Sequence, residues 1–571
     1  MDLTGRKDIS IVLSGEAGQG IQTLEQLLLR LFKGAGLYVY SYSEFMSRIR
    51  GGNNSTQLRL SPERVDCFID RIDIFVPFGP GAMDRFHDRI SASTVILGDN
   101  EHIDTRYRKG GHPIVNVSFA EMAKQAGSPL YANIVVMGLF AGLYGLGLDR
   151  VEAQMRRTFK KAGDEILAKN MHAAGLGHAF GSSVAASGTL VLPAGRASEP
   201  AGEMVTNGAE TIVLGGLAGG CNFVSSYPMS PSTDVLVYFA RYAEQFGVIV
   251  EQAEDEISAI NMAIASWYAG GRAMVTTSGG GFALMTEAMS LAGAIESPLV
   301  VHLGQRPGPA TGLPTRTEQG DLNFALYSGH GEFPRVIYAP GDFTQAFQLT
   351  QRAFFVADKH QVPALVLTDQ YFIDSNCCVP PFTIEPGMDK NHIVETAADY
   401  KRFRLTDNGI SPRGVPGYGK GIVCVDSDEH TEAGYITEDS EVRRAMVDKR
   451  LKKLEALEEE ALPPALYGPR DYAHLLVCWG STLHCVLEAL RGLGRKDIAV
   501  LHFSQVYPIH RDAAGLIERA KKKIIIEGNA TSQFGALLKL HAGTIFDHAV
   551  LKYDGMPFTP EQIIGAVERA L

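Results

Sequence analysis

Short apolar runs that end in a glycine- or proline-bearing turn and then pass into a helical pattern recur along almost the whole chain, and this recurrence constrains its fold more than any other feature. A strand, a turn and an amphipathic helix, repeated, bury their apolar faces as a parallel sheet with helices on both sides. The first run is residues 9–13; its turn is Ser14-Gly15-Glu16-Ala17-Gly18-Gln19-Gly20, and Leu24, Leu27, Leu28 and Leu31 mark the helix. Runs at 37–42, 72–78 and 94–97 continue the series. A second series gives strands at 221–226, 248–252, 273–276, 299–303 and 364–368, and a third at 475–479, 498–503 and 523–527. The expected architecture is α/β with three doubly wound units at 1–185, 207–375 and 465–571, separated by a linker at 186–206 and a connector at 376–464. In that connector Val447, Leu451, Leu454 and Leu457 recur at helical spacing and predict one exposed, charged helix.

Composition narrows the function classes. The 571 residues carry 53 Lys plus Arg against 64 Asp plus Glu, a net charge of -11, which argues against nucleic acid as the main partner. The longest apolar stretch, 134–148, is glycine-broken and shorter than the roughly 18 residues of a membrane span, so it reads as a buried helix. The start of the chain has no export pattern, and a cytoplasmic protein without a membrane partner is expected. Seven cysteines form no C-x-x-C pair, which predicts neither a disulfide framework nor a metal site held by this chain alone.

Chemistry is expected where strands end. The turn holding Gly15, Gly18 and Gly20 follows a strand and opens a helix, a setting that receives phosphate; a tight connection is the equal alternative. Arg50-Gly51-Gly52 would add a cation, or be a solvated turn. Glu256 follows a strand in the run Glu251-Gln252-Ala253-Glu254-Asp255-Glu256: it either serves the helix dipole or faces a crevice. In Tyr227-Pro228-Met229-Ser230-Pro231-Ser232 the prolines pin the backbone and fix the Ser230 hydroxyl, while Ser232 or Thr233 would serve as an N-cap. Thr277-Ser278-Gly279-Gly280-Gly281 lets a ring lie close to the backbone. The long polar loop from Arg306 to Asp321 offers Arg316 as a carboxylate clamp, with a surface salt bridge as the alternative.

Taken in order, these pieces resemble the alpha subunit of 2-oxoacid:ferredoxin oxidoreductases of the 2-oxoglutarate type, in which a gamma domain is fused ahead of the alpha domain. The matching residues are Ser14 to Thr23, Arg50-Gly51-Gly52, Tyr227 to Ser232, Glu254-Asp255-Glu256, Thr277-Ser278-Gly279, Thr311 to Asp321, Asp428-Glu429-His430 and Asn529 to Gln533. The resemblance implies a gamma domain, a thiamine diphosphate pyrimidine-binding domain and a transketolase C-terminal-like domain. It implies that Glu256 hydrogen-bonds N1' of the aminopyrimidine, with Tyr227, Pro228, Thr277, Ser278 and Gly279 around the coenzyme. Ser230 and Arg316 would face the 2-oxoacid, and Gly15, Gly18, Gly20 and Arg50 would be candidates for coenzyme A phosphate. The reaction implied is coenzyme A-dependent oxidative decarboxylation of a 2-oxoacid, with electrons passed to ferredoxin.

No Gly-Asp-Gly followed by Asn-Asn stands in the chain to hold magnesium and diphosphate. A beta subunit is therefore expected to supply Mg2+ and a [4Fe-4S] cluster and to share the thiamine diphosphate in an α2β2 assembly. Two departures bear on substrate choice: Ser230 stands where the family commonly has Thr, and Gly280 where it has Pro. A non-catalytic scaffold of the same fold is the alternative from another class. A nicotinamide dehydrogenase built on the first glycine turn is disfavoured by its G-x-x-G-x-G spacing.

Overall fold

The computed structural model describes residues 1–46, 52–159, 163–193 and 202–571. In chain order its strands are β1 (Ile9–Glu16), β2 (Tyr38–Glu44), β3 (Asn53–Ser61), β4 (Ile74–Pro77), β5 (Val95–Gly98), β6 (Ile114–Asn116), β7 (Met204–Asn207), β8 (Phe223–Ser226), β9 (Ile249–Gln252) and β10 (Ala273–Thr277). There follow β11 (Leu299–Gln305), β12 (Val336–Tyr338), β13 (Pro363–Asp369), β14 (Ser375–Val379), β15 (Ala465–Tyr467), β16 (His474–Trp479), β17 (Ile498–Phe503), β18 (Gln505–Tyr507), β19 (Lys522–Glu527) and β20 (His548–Leu551). They form two compact units, one of Met1–Thr206 with Ser375–Pro381, the other of Asn207–Asp374 with Phe382–Leu571.

The first unit holds one sheet in the order β6-β5-β4-β1-β3-β2-β14-β7. Leu24, Leu28 and Phe32 pack with Val135, Leu139 and Phe140 in one core, and Val12, Phe75, Phe86 and Ile96 form another. Contrary to the parallel expectation this sheet is mixed, because β3 runs antiparallel to both β1 and β2. No apolar run announces β3; only Leu58 and Leu60 are apolar, and buried polar side chains between and before them are satisfied, with Arg59 Nε 2.5 Å from Asp8 Oδ2 and Gln57 Nε2 donating to Ser10 Oγ at 2.8 Å. Two strands also come from stretches that read as linker and connector, β7 and β14. β14 pairs antiparallel with β2. Asn376 donates to Ser41 Oγ and to the buried carboxyl of Glu25, and Arg64 Nη1 donates to the Cys378 carbonyl at 2.7 Å.

The apolar stretch 134–148 does contain a buried helix, Ala132–Leu143, packed on the helix Asp164–Ala186 through glycines on both. A Cβ on Gly138 would lie 2.1 Å from the Ala174 carbonyl oxygen, and one on Gly177 2.0 Å from that of Val135, so the two backbones approach as closely as glycine allows. Gly177→Ala is accordingly expected to destabilise the protein by about 3 kcal/mol, the upper end of overpacking, measured as a lowered melting temperature. On the same helix a Cβ on Gly175 meets nothing within 4 Å, so Gly175→Ala is the neutral or slightly stabilising control.

The second unit holds two sheets, β18-β12-β13-β11-β10-β8-β9 and β15-β17-β16-β19-β20. From β8 to β13 the pairing is parallel. β17 belongs to one sheet and β18, which follows it after Ser504, to the other. A buried chain runs beneath the strand ends: Thr276 Oγ1 to His302 Nδ1 at 2.7 Å, and His302 Nε2 to Thr368 Oγ1 at 2.8 Å. Burial pushes His302 down to about 3, so the ring is neutral and acts as a strut.

The helix Ser440–Glu459 is not the exposed connector helix that its apolar spacing predicts. It buries Met446, Lys449, Arg450, Lys453 and Leu457, while Leu451 stays 36 % exposed. Its buried cations have partners. Lys449 and Lys453 lie 2.6 and 2.5 Å from the Glu296 carboxylate, and Arg450 forks onto Glu429 at 3.0 and 2.8 Å. Asp428-Glu429-His430 thus anchors this helix, with the His430 ring tilted against Phe403 at a centroid separation of 3.9 Å. Among the described residues no helix is long and apolar enough to cross a membrane.

Candidate active site

The carboxyl ends of β9, β8, β10 and β11, neighbours in the sheet, each deliver one of the predicted segments or the start of the polar loop. Such a row is where an open α/β sheet receives a ligand. After β9, the helix Glu256–Tyr268 is capped by Asp255, whose Oδ1 accepts the Ser258 N–H at 2.7 Å. Capping therefore leaves Glu256 unexplained. It is only 3 % exposed, and its Oε1 is buried with no hydrogen-bond partner. A buried carboxyl oxygen left unpaired costs stability, and such an atom in a crevice marks a place where a ligand donates.

Glu256 faces the turn after β10. A Cβ on Gly281 would lie 2.5 Å from Glu256 Oε1 and 2.3 Å from Thr277 Oγ1, so glycine is required for these groups to meet. Ser278 presents a second buried, unpartnered oxygen. Gly281 donates its N–H to Met229 Sδ at 3.2 Å, joining this turn to the Tyr227–Ser232 segment. There, Tyr227 is exposed and Pro228 half-buried. Ser232 caps nothing with its side chain; its hydroxyl donates back to the Met229 carbonyl at 2.7 Å and stiffens the turn that carries Ser230.

The structure brings Glu256, Thr277, Ser278 and Gly279 around one turn, but the guanidinium on the Ser230 segment is Arg306. Its Nη1 donates to the Ser230 carbonyl at 2.6 Å. Arg316 instead bonds the Thr315 carbonyl and packs on Gly555, where an added Cβ would lie 3.2 Å from Arg316 Cβ. Sequence reading passed over Arg306, although it directly follows β11 and the strand-end rule that picked out Glu256 picks it out too. It also passed over Asp321, whose carboxyl lies against Gly279. The end of the loop is tied down by Gln319, which exchanges hydrogen bonds with Gly528 at 2.6 and 2.8 Å, and by Gln533 Nε2 on the Gly320 carbonyl. Asn529 and Ser532 in turn bond the buried Glu527. That network accounts for the Asn529–Gln533 segment as scaffolding.

In the first unit the turn after β1 leads into the helix Ile21–Gly34. Gly18 and Gly20 have φ of 94° and 72°, conformations that other residues rarely adopt. Asn133 Nδ2 donates to the Gln19 and Gly20 carbonyls at 2.8 and 3.1 Å, and the Gln19 N–H donates to the Glu16 carbonyl at 3.2 Å, so the turn is tied down from within. Gly15 has a packing role, because a Cβ there would meet Gln19 Oε1 and Phe78 Cβ. Arg50 and Gly51 lie outside the described residues.

Comparison with known proteins agrees with this geometry. The family model described as pyruvate flavodoxin/ferredoxin oxidoreductase, thiamine diphosphate-binding, matches residues 215–449, and that of pyruvate ferredoxin/flavodoxin oxidoreductase matches residues 10–180. The chain is 30% identical to 2-oxoacid:ferredoxin oxidoreductase 2, subunit alpha, of Aeropyrum pernix, over 99% of this chain and 98% of that one. It is also 30% identical to the 2-oxoglutarate synthase subunit KorA of Archaeoglobus fulgidus, over 64% of this chain and 98% of that one. Among solved structures, 2-oxoglutarate:ferredoxin oxidoreductase from Magnetococcus marinus, with 2-oxoglutarate, coenzyme A and succinyl-CoA bound, superposes with a TM-score of 0.90 at 30% identity, covering 99% of this chain and 100% of that one. With near-complete coverage in sequence and in structure, and with the strand-end row intact, this chain belongs to the 2-oxoacid:ferredoxin oxidoreductase family as an alpha subunit.

Proposed function

We propose that this chain, paired with a beta subunit, converts 2-oxoglutarate and coenzyme A to succinyl-CoA and CO2, with ferredoxin taking the electrons. The observation that carries the reading is the buried, unpartnered carboxyl oxygen of Glu256 beside a turn where only glycine fits. These residues fit the pyrimidine end of thiamine diphosphate: an acidic group for a ring nitrogen, a second orphaned oxygen on Ser278, and a glycine surface for a flat ring. When bound, that coenzyme supplies the electron sink for decarboxylation. Glu256 holds or releases a proton at the ring nitrogen, and Thr277 and Gly281 fix where it points. Met229 and the glycines exclude water on one side.

Arg306 is assigned to a carboxylate of the 2-oxoacid, because it is the cation fixed to the Ser230 turn; Ser230 presents its hydroxyl beside it. Arg316 shapes the wall against Gly555. The choice of 2-oxoglutarate follows the KorA relative and the Magnetococcus enzyme. The glycine turn at Gly18 to Gly20, which opens the helix Ile21–Gly34 without a side-chain cap, is the proposed seat for a phosphate of coenzyme A. Magnesium, the diphosphate grip and a [4Fe-4S] cluster are assigned to the beta subunit, and α2β2 is the assembly proposed.

The test is reduction of a viologen by the purified pair with thiamine diphosphate, magnesium, coenzyme A and one 2-oxoacid at a time. Turnover is expected with 2-oxoglutarate and slower turnover with pyruvate. No dye reduction with any 2-oxoacid would support a scaffold. Arg306→Gln is expected to raise KM for 2-oxoglutarate roughly 10–100-fold, the loss of a charge-assisted pair.

A further inference from the structure

Asp321 stands at the N-cap position of the short helix Leu322–Tyr327, where a carboxylate ordinarily accepts backbone N–H groups, yet its side chain caps nothing. Its carboxyl turns instead onto the Gly279 turn, so that a Cβ on Gly279 would lie 2.5 and 2.6 Å from its two oxygens. Oδ2 is buried and has no partner. The backbone holds it there, since Asp321 N–H donates to Gln305 Oε1 at 3.1 Å and Gln305 Nε2 is itself bonded to the Thr368 carbonyl. Asp321 is thus a second carboxyl, fixed at the end of β11 with neither a capping nor a salt-bridge role to explain its burial.

The charged groups that bear on it are few. Arg306, also at the end of β11, attracts it, and Glu318 on its own loop repels it. The Gly279 turn contributes only the Ser278 hydroxyl, and Glu256 lies across that turn against Gly281. Burial, reinforced by Glu318 and opposed by Arg306, pushes the Asp321 carboxyl up to about 7.

Resting on the assignment of Arg306 to the substrate, we propose that Asp321 is a specificity-determining residue that competes, when ionised, with the carboxylate of the 2-oxoacid for Arg306. A neutral Asp321 leaves the guanidinium to the substrate and adds a hydrogen-bond donor; an ionised one neutralises the guanidinium and repels an anionic substrate. The sign follows: substrate binds better below the Asp321 transition and worse above it.

The experiment is the pH profile of KM for 2-oxoglutarate, measured with the assembled enzyme from about pH 6 to about pH 8.5. Wild type is expected to show KM rising above neutrality, approaching about tenfold per pH unit at the limit, with kcat changing far less. Asp321→Asn is expected to flatten that rise while kcat stays within about threefold. Glu318→Gln, which removes the repelling charge, is expected to move the rise to lower pH. An Asp321→Asn enzyme that keeps the wild-type rise overturns the proposal, as does one whose KM is raised at every pH. If that variant does not fold, an unmoved profile in Glu318→Gln overturns it. Arg306→Gln separates the two levels. An unchanged KM there removes the substrate assignment itself; a raised KM beside an unaltered Asp321→Asn profile removes only the role of Asp321.

Discussion

Glu256→Gln is expected to lower kcat of the assembled enzyme by about 10²–10⁴-fold, the range of one positioned acid–base group, with little change in KM for the 2-oxoacid. Gln keeps the shape of the side chain and its place beside Thr277 and Gly281, but it neither gives nor takes a proton at the atom that has no partner in the protein. Stability should move in the opposite sense. An unsatisfied buried carboxyl burdens the fold, so the variant is expected to melt no lower than wild type. A fully active Glu256→Gln enzyme, or one that has lost its fold, would remove Glu256 from its role.

Glu296→Gln is expected to be the most damaging single change to stability. Glu296 sits among Lys449, Lys453 and Arg402, with Glu296 and both lysines about 1 % exposed at their side chains. Burial alone would raise the Glu296 carboxyl, but the three cations outweigh it and hold it well below the ordinary carboxylate range. Burial pushes Lys453 down to about 7 even beside that carboxylate. Removing that anion strands the cations in a desolvated site, a loss of about 3–5 kcal/mol, or roughly 4–7 °C in melting temperature for a unit of this size. Replacing Lys449 and Lys453 by Met in the same variant should recover most of it. Because the folded carboxyl sits below its ordinary value of 4.5, its contribution is present above that pH and lost on acidification. Wild type and variant should therefore converge in acid.

The same helix shows what the sequence could and could not convey. Apolar spacing through Val447, Leu451, Leu454 and Leu457 caught only Leu457 of the buried face, since Lys449, Arg450 and Lys453 go inward beside it. Burial of a cation depends on an anion elsewhere in the chain, and the partners Glu296 and Glu429 are remote in sequence. β3 was illegible for a related reason: its polar side chains are buried because Asp8 and Ser10 await them. Most strands of the parallel pairings in the second unit, by contrast, announced themselves as apolar runs, the short β12 and β20 excepted, and Glu256 and the Thr277–Gly281 turn followed from their ends. Arg306 and Asp321 required the folded loop. Only there do residues fifteen positions apart in sequence, at the two ends of the loop, converge on the end of β11.

One further consequence lies in the path of the backbone. The polypeptide leaves its first unit near Thr206, returns to insert β14 between β2 and β7, and departs again after Pro381. A protease nick between Leu192 and Met204 would therefore not set the amino-terminal body free, for the downstream fragment would still grip it as a donated strand. A gene divided at that point would encode two products that recognise each other by strand complementation, and the amino-terminal product made alone would expose the long edge of β2 as a site for aggregation.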